Sequence, residues 1–301
     1  MRTRRTARQG ACSATPVTML SPHEITLEIP GFRLAGKAWG HPDGLPVLAL
    51  HGWLDNAASF DALAPFLPEL RLVALDLPGH GFSQHRAPGQ EYHFVDWLPV
   101  VFEAADALGW QRFALMGHSM GAGIAALAAG VFAERVSHLV LLEGLGPTVG
   151  EDRDIPARIA KNVRQRARAG RPPKPYPSQE DAAIRLTMAL ADLSLDSARR
   201  LVERGTQPSE GGFTWRSDPR LQRISPHPFN EAQVHAFLER ITAPTLVIVA
   251  DQGGQYDHER MEMRCACIKA LSVERVSGGH HVHLEHPERI APSLRRHFGL
   301  A

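Results

Sequence analysis

The sequence predicts an α/β fold built on a mostly parallel sheet with helices on both faces. Three observations carry that expectation. Short apolar runs alternate with helical patterns from about residue 24 to 145. The same strand pattern returns at 244–250 and 273–276. A glycine-flanked junction, Gly117-His118-Ser119-Met120-Gly121, joins a strand pattern to a helix pattern. Strand–helix alternation needs crossover connections, and crossovers make parallel strands covered on both faces.

Each element has its own signal. Ile25-Thr26-Leu27-Glu28-Ile29 alternates with period two and reads as an early strand. Val47-Leu48-Ala49-Leu50 is a continuous apolar run ending at His51-Gly52, the pattern of a strand buried on both faces. Leu72-Val73-Ala74-Leu75 is a second such run, and Phe113-Ala114-Leu115-Met116 a third. Ala122 to Phe132 follows as a helix of small residues, and Leu139-Val140-Leu141-Leu142 is a further buried strand ending at Glu143-Gly144. Residues 146–240 are helical, charged and interrupted by Pro172, Pro173, Pro175 and Pro177, with no buried strand pattern. They read as a lid inserted after the strand ending at Glu143. The core is then expected to comprise 21–145 and 241–301.

Composition excludes several classes. Of 301 residues, 44% are hydrophobic and 22% charged, so a packed core is within reach. Basic and acidic residues number 33 and 32, which gives no electrostatic case for nucleic acid. No apolar run reaches the length of a membrane span. Residues 1–20 carry Arg2, Arg4, Arg5 and Arg8 without a following apolar stretch, and read as a disordered extension rather than a secretory signal. Met19 is an alternative start. Three cysteines, Cys12, Cys265 and Cys267, cannot build a disulfide framework. That suits a reducing compartment, and the cytoplasm is the expected location.

Chemistry points to Ser119. In a G-x-S-x-G junction the turn is tight, so the flanking glycines let backbone segments approach while the serine hydroxyl is lifted into the open. The Met120 amide, at the helix start, can face a developing oxyanion.

With these residues in view, the chain resembles the α/β-hydrolase superfamily. His51-Gly52-Trp53 looks like its oxyanion loop, which implies Trp53 N–H as a second donor. Asp76-Leu77-Pro78-Gly79-His80-Gly81-Phe82-Ser83 looks like its D-x-x-G-x-G-x-S turn. Gly278-Gly279-His280 with Leu284-Glu285-His286-Pro287 looks like the segment that carries the histidine base. Closer still, Lys37 to Gly40, His51 to Asp61 and Arg204-Gly205-Thr206 resemble the serine hydrolase-like family.

The resemblance implies His280 as base and His283 as a structural position, leaving His281 and His286 to face solvent or the site rim. Four histidines in seven positions suggest a metal, but the spacing is not that of a helical zinc motif and Pro287 closes the segment. No metal and no cofactor are expected. The acid is the departure from the family pattern. Aligning Ala250 with the glycine of the usual G-E-x-D puts Asp251 at a noncatalytic position and Gly253 where the catalytic Asp belongs. Glu143, at the end of the preceding strand, is the expected third member, since some superfamily members place their acid there. Asp251 is the alternative and Asp257 a further candidate.

The expected function is a carboxylesterase-like serine hydrolase acting through an acyl-enzyme. Acyl transfer, perhydrolysis and carbon–carbon bond cleavage are alternatives on the same residues. A noncatalytic ligand-binding protein is an alternative of another class. A small ester or acyl compound is the expected partner, with no nucleic acid and no membrane span, and the chain as monomer or homodimer. His51, Gly52, Trp53, His118 and Trp215 are expected around the substrate pocket. Arg153, Arg158, Arg164, Arg166, Arg168 and Arg171 read as a solvated face of the lid.

Overall fold

The structure, a computed structural model, describes residues 20–167, 174–254 and 257–300. Residues 1–19 of the expected extension, with Met19, lie outside the described residues, as do Arg168, Arg171, Pro172 and Pro173; Leu20, the last residue assigned to the extension, instead opens the first strand.

The strands are β1 (Leu20–Ile29), β2 (Phe32–Gly40), β3 (Pro46–Leu50), β4 (Arg71–Leu75), β5 (Phe113–His118), β6 (Val136–Leu142), β7 (Thr206–Ser209), β8 (Gly212–Trp215), β9 (Thr245–Gln252) and β10 (Leu271–Gly279). The helices are α1 (Trp97–Ala107), α2 (Met120–Val131), α3 (Ile155–Ala167), α4 (Gln179–Ala189), α5 (Leu195–Gly205), α6 (Glu231–Leu238), α7 (His258–Ala266), α8 (Val282–Glu285) and α9 (Pro287–Phe298). Eight strands form one sheet in the order β1-β2-β4-β3-β5-β6-β9-β10. β2 pairs antiparallel with β1 and β4, and the remaining pairs are parallel.

The pleat explains why the central strands read as unbroken apolar runs. Leu48 and Leu50 join one core with Leu115, Leu139, Leu141 and Val247. Their neighbours Val47 and Ala49 join a second core on the opposite face with Ala114, Met116, Val140 and Leu246. Both faces are covered, so neither parity can be polar. Helices α1, α2 and α6 cover the first face, and α9 covers the second through Ile290, Leu294 and Phe298.

Between β6 and β9 the chain leaves the sheet to form α3, α4, α5, a β7–β8 hairpin and α6. The hairpin is short, with β7 mostly exposed and β8 half-buried, which is why no buried strand pattern marks it. The 146–240 boundary is too wide at its end: α6 buries Val234 and Leu238 against α2 and belongs to the layer covering the sheet. Phe237 packs so near Gly130 that a Cβ there would meet its carbonyl carbon at 2.8 Å. The rest of the insert is tied down by Arg204. Its guanidinium is buried, bonding both Asp76 oxygens (2.9 and 3.0 Å) and the Glu24 carboxylate (2.7 Å). Asn56 Nδ2 donates to Leu201 O at 2.9 Å beside it. No described helix is long and apolar enough to cross a membrane.

Candidate active site

Ser119 stands between β5 and α2 with φ 52° and ψ −112°, a backbone conformation that L-residues rarely hold. The packing imposes it. A Cβ on Gly117 would overlap the backbone of Gly121, and one on Gly121 would overlap the Leu50 carbonyl. Both flanking glycines are therefore required by close approach, and Ser119 N–H donates to Leu142 O at 2.9 Å to hold the turn.

His280 follows β10. Its Nε2 lies 2.9 Å from Ser119 Oγ and its Nδ1 lies 3.1 Å from Glu143 Oε2. A carboxylate only accepts, so Nδ1 carries the proton and Nε2 presents its lone pair to the Ser119 hydroxyl. Glu143 is buried and also strained at φ 54°. Its other contacts fix it: Ala250 N–H donates to Oε1 at 2.5 Å and Gly254 N–H to Oε2 at 3.0 Å. These amides offset the cost of burying the charge.

Asp251 points elsewhere, accepting from Gly278 N–H at 3.0 Å. Asp257 caps α7 through Arg260 N–H at 3.2 Å, and also lines the cavity described below. At Gly253 a Cβ would overlap the Glu143 carboxylate. The space that a side chain at 253 would need is filled from β6.

Ser119, Met120, Glu143 and His280 open onto a cavity of about 720 Å³. Trp53 forms one wall, and its indole N–H donates to Leu221 O of the insert at 3.2 Å. The Met120 amide is the first of α2, where helix amides have no intrahelical partner. Tyr92, Phe94, Trp97 and Phe229 supply aromatic surface. None of these is singled out from the sequence, although the spacing of Tyr92, Phe94 and Trp97, which lead into and open α1, is an available signal. Of the arginines assigned to a solvated face, Arg153, Arg164 and Arg166 are exposed. Arg158 is half-buried, lines the cavity and donates to Ser225 O at 3.2 Å.

Several expected pocket residues stand behind the site instead. His51 is fully buried, donating from Nδ1 to Gly52 O (2.7 Å) and accepting Leu77 N–H at Nε2 (3.0 Å). Burial pushes its pKa down to about 4, so it is a neutral brace between the β3 and β4 loops. Gly52 faces His118 and Asp55, where a Cβ would come within 2.9 Å of the His118 ring. His118 is buried, and its Nε2–H donates to the His280 carbonyl at 2.9 Å. Trp215 packs within the insert, 6.2 Å from the Tyr176 ring. His283 is buried and bonded to Ser59 Oγ at 2.7 Å, as a structural histidine should be. His281 corrects the expectation of an exposed position: it is 4% exposed, and its backbone N–H donates to Asp192 in the insert at 3.1 Å. The segment pattern alone cannot show that the insert folds over it.

Comparison with known proteins agrees with this architecture. The family model described as alpha/beta hydrolase fold matches residues 46–287. A serine hydrolase-like protein of Danio rerio is 34% identical over 282 residues, covering 89% of this chain and 86% of the relative. Serine hydrolase-like protein 2 of Homo sapiens is 30% identical over 291 residues, covering 89% and 91%. Among solved structures, the hypothetical protein PA1622 from Pseudomonas aeruginosa PAO1 superposes with a TM-score of 0.85 at 39% identity, covering 91% of this chain and 97% of that one. A thioesterase domain from the curacin biosynthetic pathway gives 0.82 at 26% identity, covering 92% and 100%. The chain belongs to the α/β-hydrolase fold family and, within it, to the serine hydrolase-like proteins.

Proposed function

We propose that this chain is a serine hydrolase that cleaves a small carboxylic ester or thioester through an acyl-enzyme on Ser119. One observation carries the reading: the Ser119–His280–Glu143 relay, with contacts of 2.9 and 3.1 Å, lies open to an aromatic-lined cavity. His280 takes the Ser119 proton as Oγ attacks the substrate carbonyl, and returns it to the leaving group. Glu143 holds the imidazole in the tautomer that allows this and stabilises the imidazolium. The Trp53 and Met120 amides receive the oxyanion, a role worth about a hundred- to a thousand-fold in kcat per donor. A water activated by His280 then frees the acid.

The insert acts as a lid that shapes the acyl pocket through Leu221, Ile224 and Phe229. The curacin domain is named a thioesterase, which favours acyl–oxygen or acyl–sulfur cleavage over carbon–carbon cleavage. The Glu143 contact with His280 argues against a noncatalytic binding role. The test is hydrolysis of p-nitrophenyl esters from acetate to decanoate by wild type and Ser119→Ala. Turnover that depends on Ser119 is expected, with a chain-length profile that reports pocket depth. Equal turnover in the two proteins would reject the assignment.

A further inference from the structure

Behind the Ser119–His280 pair lies a second group of chemistry-bearing side chains that hydrolysis does not use. Asp55 Oδ2, His118 Nδ1 and His281 Nε2 converge at a point between the β3 loop, the elbow and the histidine loop. Asp55 Oδ2 stands 3.6 Å from His118 Nδ1 and 3.5 Å from His281 Nε2. The three residues are 8%, 1% and 4% exposed. Asp55 Oδ2 and His118 Nδ1 are buried atoms with no hydrogen-bond partner.

We propose that Asp55, His118 and His281 form a binding site for one divalent transition-metal ion of the zinc class. The tautomers require a cation or a proton donor here. His118 gives its Nε2–H to the His280 carbonyl, so Nδ1 is left as a lone pair. That lone pair faces the Asp55 carboxylate, acceptor against acceptor. An imidazolium at His281 supplies a proton to Asp55 but leaves the His118 lone pair unmatched. An ion matches all three donors at once.

Distances agree. The three ligand atoms lie within 4.8 Å of one another, so a point equidistant from them is at most about 2.4 Å from each. Zinc bonds to imidazole and carboxylate run about 2.0–2.2 Å, and a closure of a few tenths of an ångström reaches them. The outer partners also have the pattern of a metal centre. A ligating histidine hands its second N–H to a carbonyl or a carboxylate. His118 does so to His280 O at 2.9 Å, whereas His281 Nδ1 stands 3.6 Å from Asp192 Oδ2 without a hydrogen bond and needs that carboxylate to close by about half an ångström to do the same. The two carboxylates also favour positive charge at this point. Two imidazoles and one carboxylate form a borderline donor set, which selects zinc, cobalt or nickel over calcium or magnesium. The ion joins the residue before Ser119 to the residue after His280 and, through Asp192, to the insert.

The test uses the full chain after chelator dialysis, titrated with Zn²⁺ by calorimetry and with Co²⁺ by visible absorption. Wild type is expected to take up one equivalent with Kd below about 10 μM and to show the visible bands of nitrogen- and oxygen-ligated cobalt. Asp55→Asn and His281→Gln should each weaken binding at least about 100-fold, and Asp192→Asn about tenfold, as outer-shell losses do. His258→Gln, at an exposed histidine, should change nothing. Metal-free melting curves establish that each variant is folded. If His281→Gln does not fold, Asp55→Asn and Asp192→Asn carry the test. Wild-type binding weaker than about 10 μM, or stoichiometric binding that survives Asp55→Asn or His281→Gln, overturns the proposal and leaves a protonated His281 or a water in that space.

Discussion

Glu143 and Gly253 occupy one space: the carboxylate from the end of β6 fills the volume that any side chain at 253 would need. The acid beside His280 has thus been supplied from a different strand, and glycine at 253 is what makes room for it. Glu143→Gln is expected to lower kcat by orders of magnitude, since the analogous carboxamide exchange in a serine protease costs about ten-thousand-fold. Asp251→Asn, whose carboxylate serves Gly278, should stay within a few-fold of wild type. Steady-state kinetics on one ester decides it, and a reversed ranking sinks the assignment of Glu143.

The same relationship predicts an exchange. Gly253→Ala should displace Glu143 and lower activity, although it adds only a methyl group. In a Glu143→Ala background the space is vacant, and Gly253→Asp should there recover part of the lost turnover. Comparing the double variant with Glu143→Ala alone tests this. No recovery in a folded double variant means that position 253 cannot reach His280.

This relationship also marks what the sequence allows to be read. The strands were legible because Leu48, Leu115, Leu141 and Val247 are buried on one face while their neighbours are buried on the other, which leaves unbroken apolar runs. Ser119 was legible because Gly117 and Gly121 are both forced by backbone approach. The choice of Glu143 was harder, because chain order does not say which strand end leans toward His280. His118 and His281 were misplaced for a related reason. Their polar partners are Asp55 and Asp192, which stand 63 and 89 positions away from them. No local pattern records such a pairing.

Arg204 is a point where the insert should be vulnerable. Its guanidinium is 6% exposed and bonds Asp76, which is fully buried and also accepts the Ala57 and Phe82 amides at 2.8 Å. Arg204→Ala leaves that carboxylate without its cation, at a cost of about 3–5 kcal/mol. Arg204→Lys retains the charge but cannot serve Asp76 and Glu24 together, so it should recover only part. Urea denaturation of the three proteins measures this. A loss below about 1 kcal/mol for the alanine variant would mean that water replaces the guanidinium.

In the proposed mechanism Trp53 has two separable roles, a backbone amide for the oxyanion and an indole that walls the cavity. Trp53→Ala keeps the amide and loses the wall and the bond to Leu221. The expected result is a raised KM and a flattened ester chain-length profile, with kcat within about threefold, the behaviour of lost uniform binding. A fall in kcat of a hundredfold with unchanged KM would instead place the indole in the transition state.

Asp218 gives the pH prediction. Burial pushes its carboxyl up, but the Arg220 guanidinium and amide, with the Tyr92 hydroxyl at 2.9 Å, hold it below the usual carboxylate range. Its amide also donates to Gly79 O at 2.8 Å, so the group fastens the insert to the loop after β4. A depressed carboxyl pKa means that ionisation favours the folded state. The contribution is complete above about pH 4, the value of the unfolded group, and is lost as pH falls through the lower folded value. Asp218→Asn should therefore lower the melting temperature at neutral pH by about 5 °C, for the loss of hydrogen bonds to a charged group. The gap between variant and wild type should then close as pH falls below about 4, because protonation removes the same charge in the wild type. A gap that stays constant from pH 7 to pH 3 would show that the Asp218 charge does not stabilise this junction.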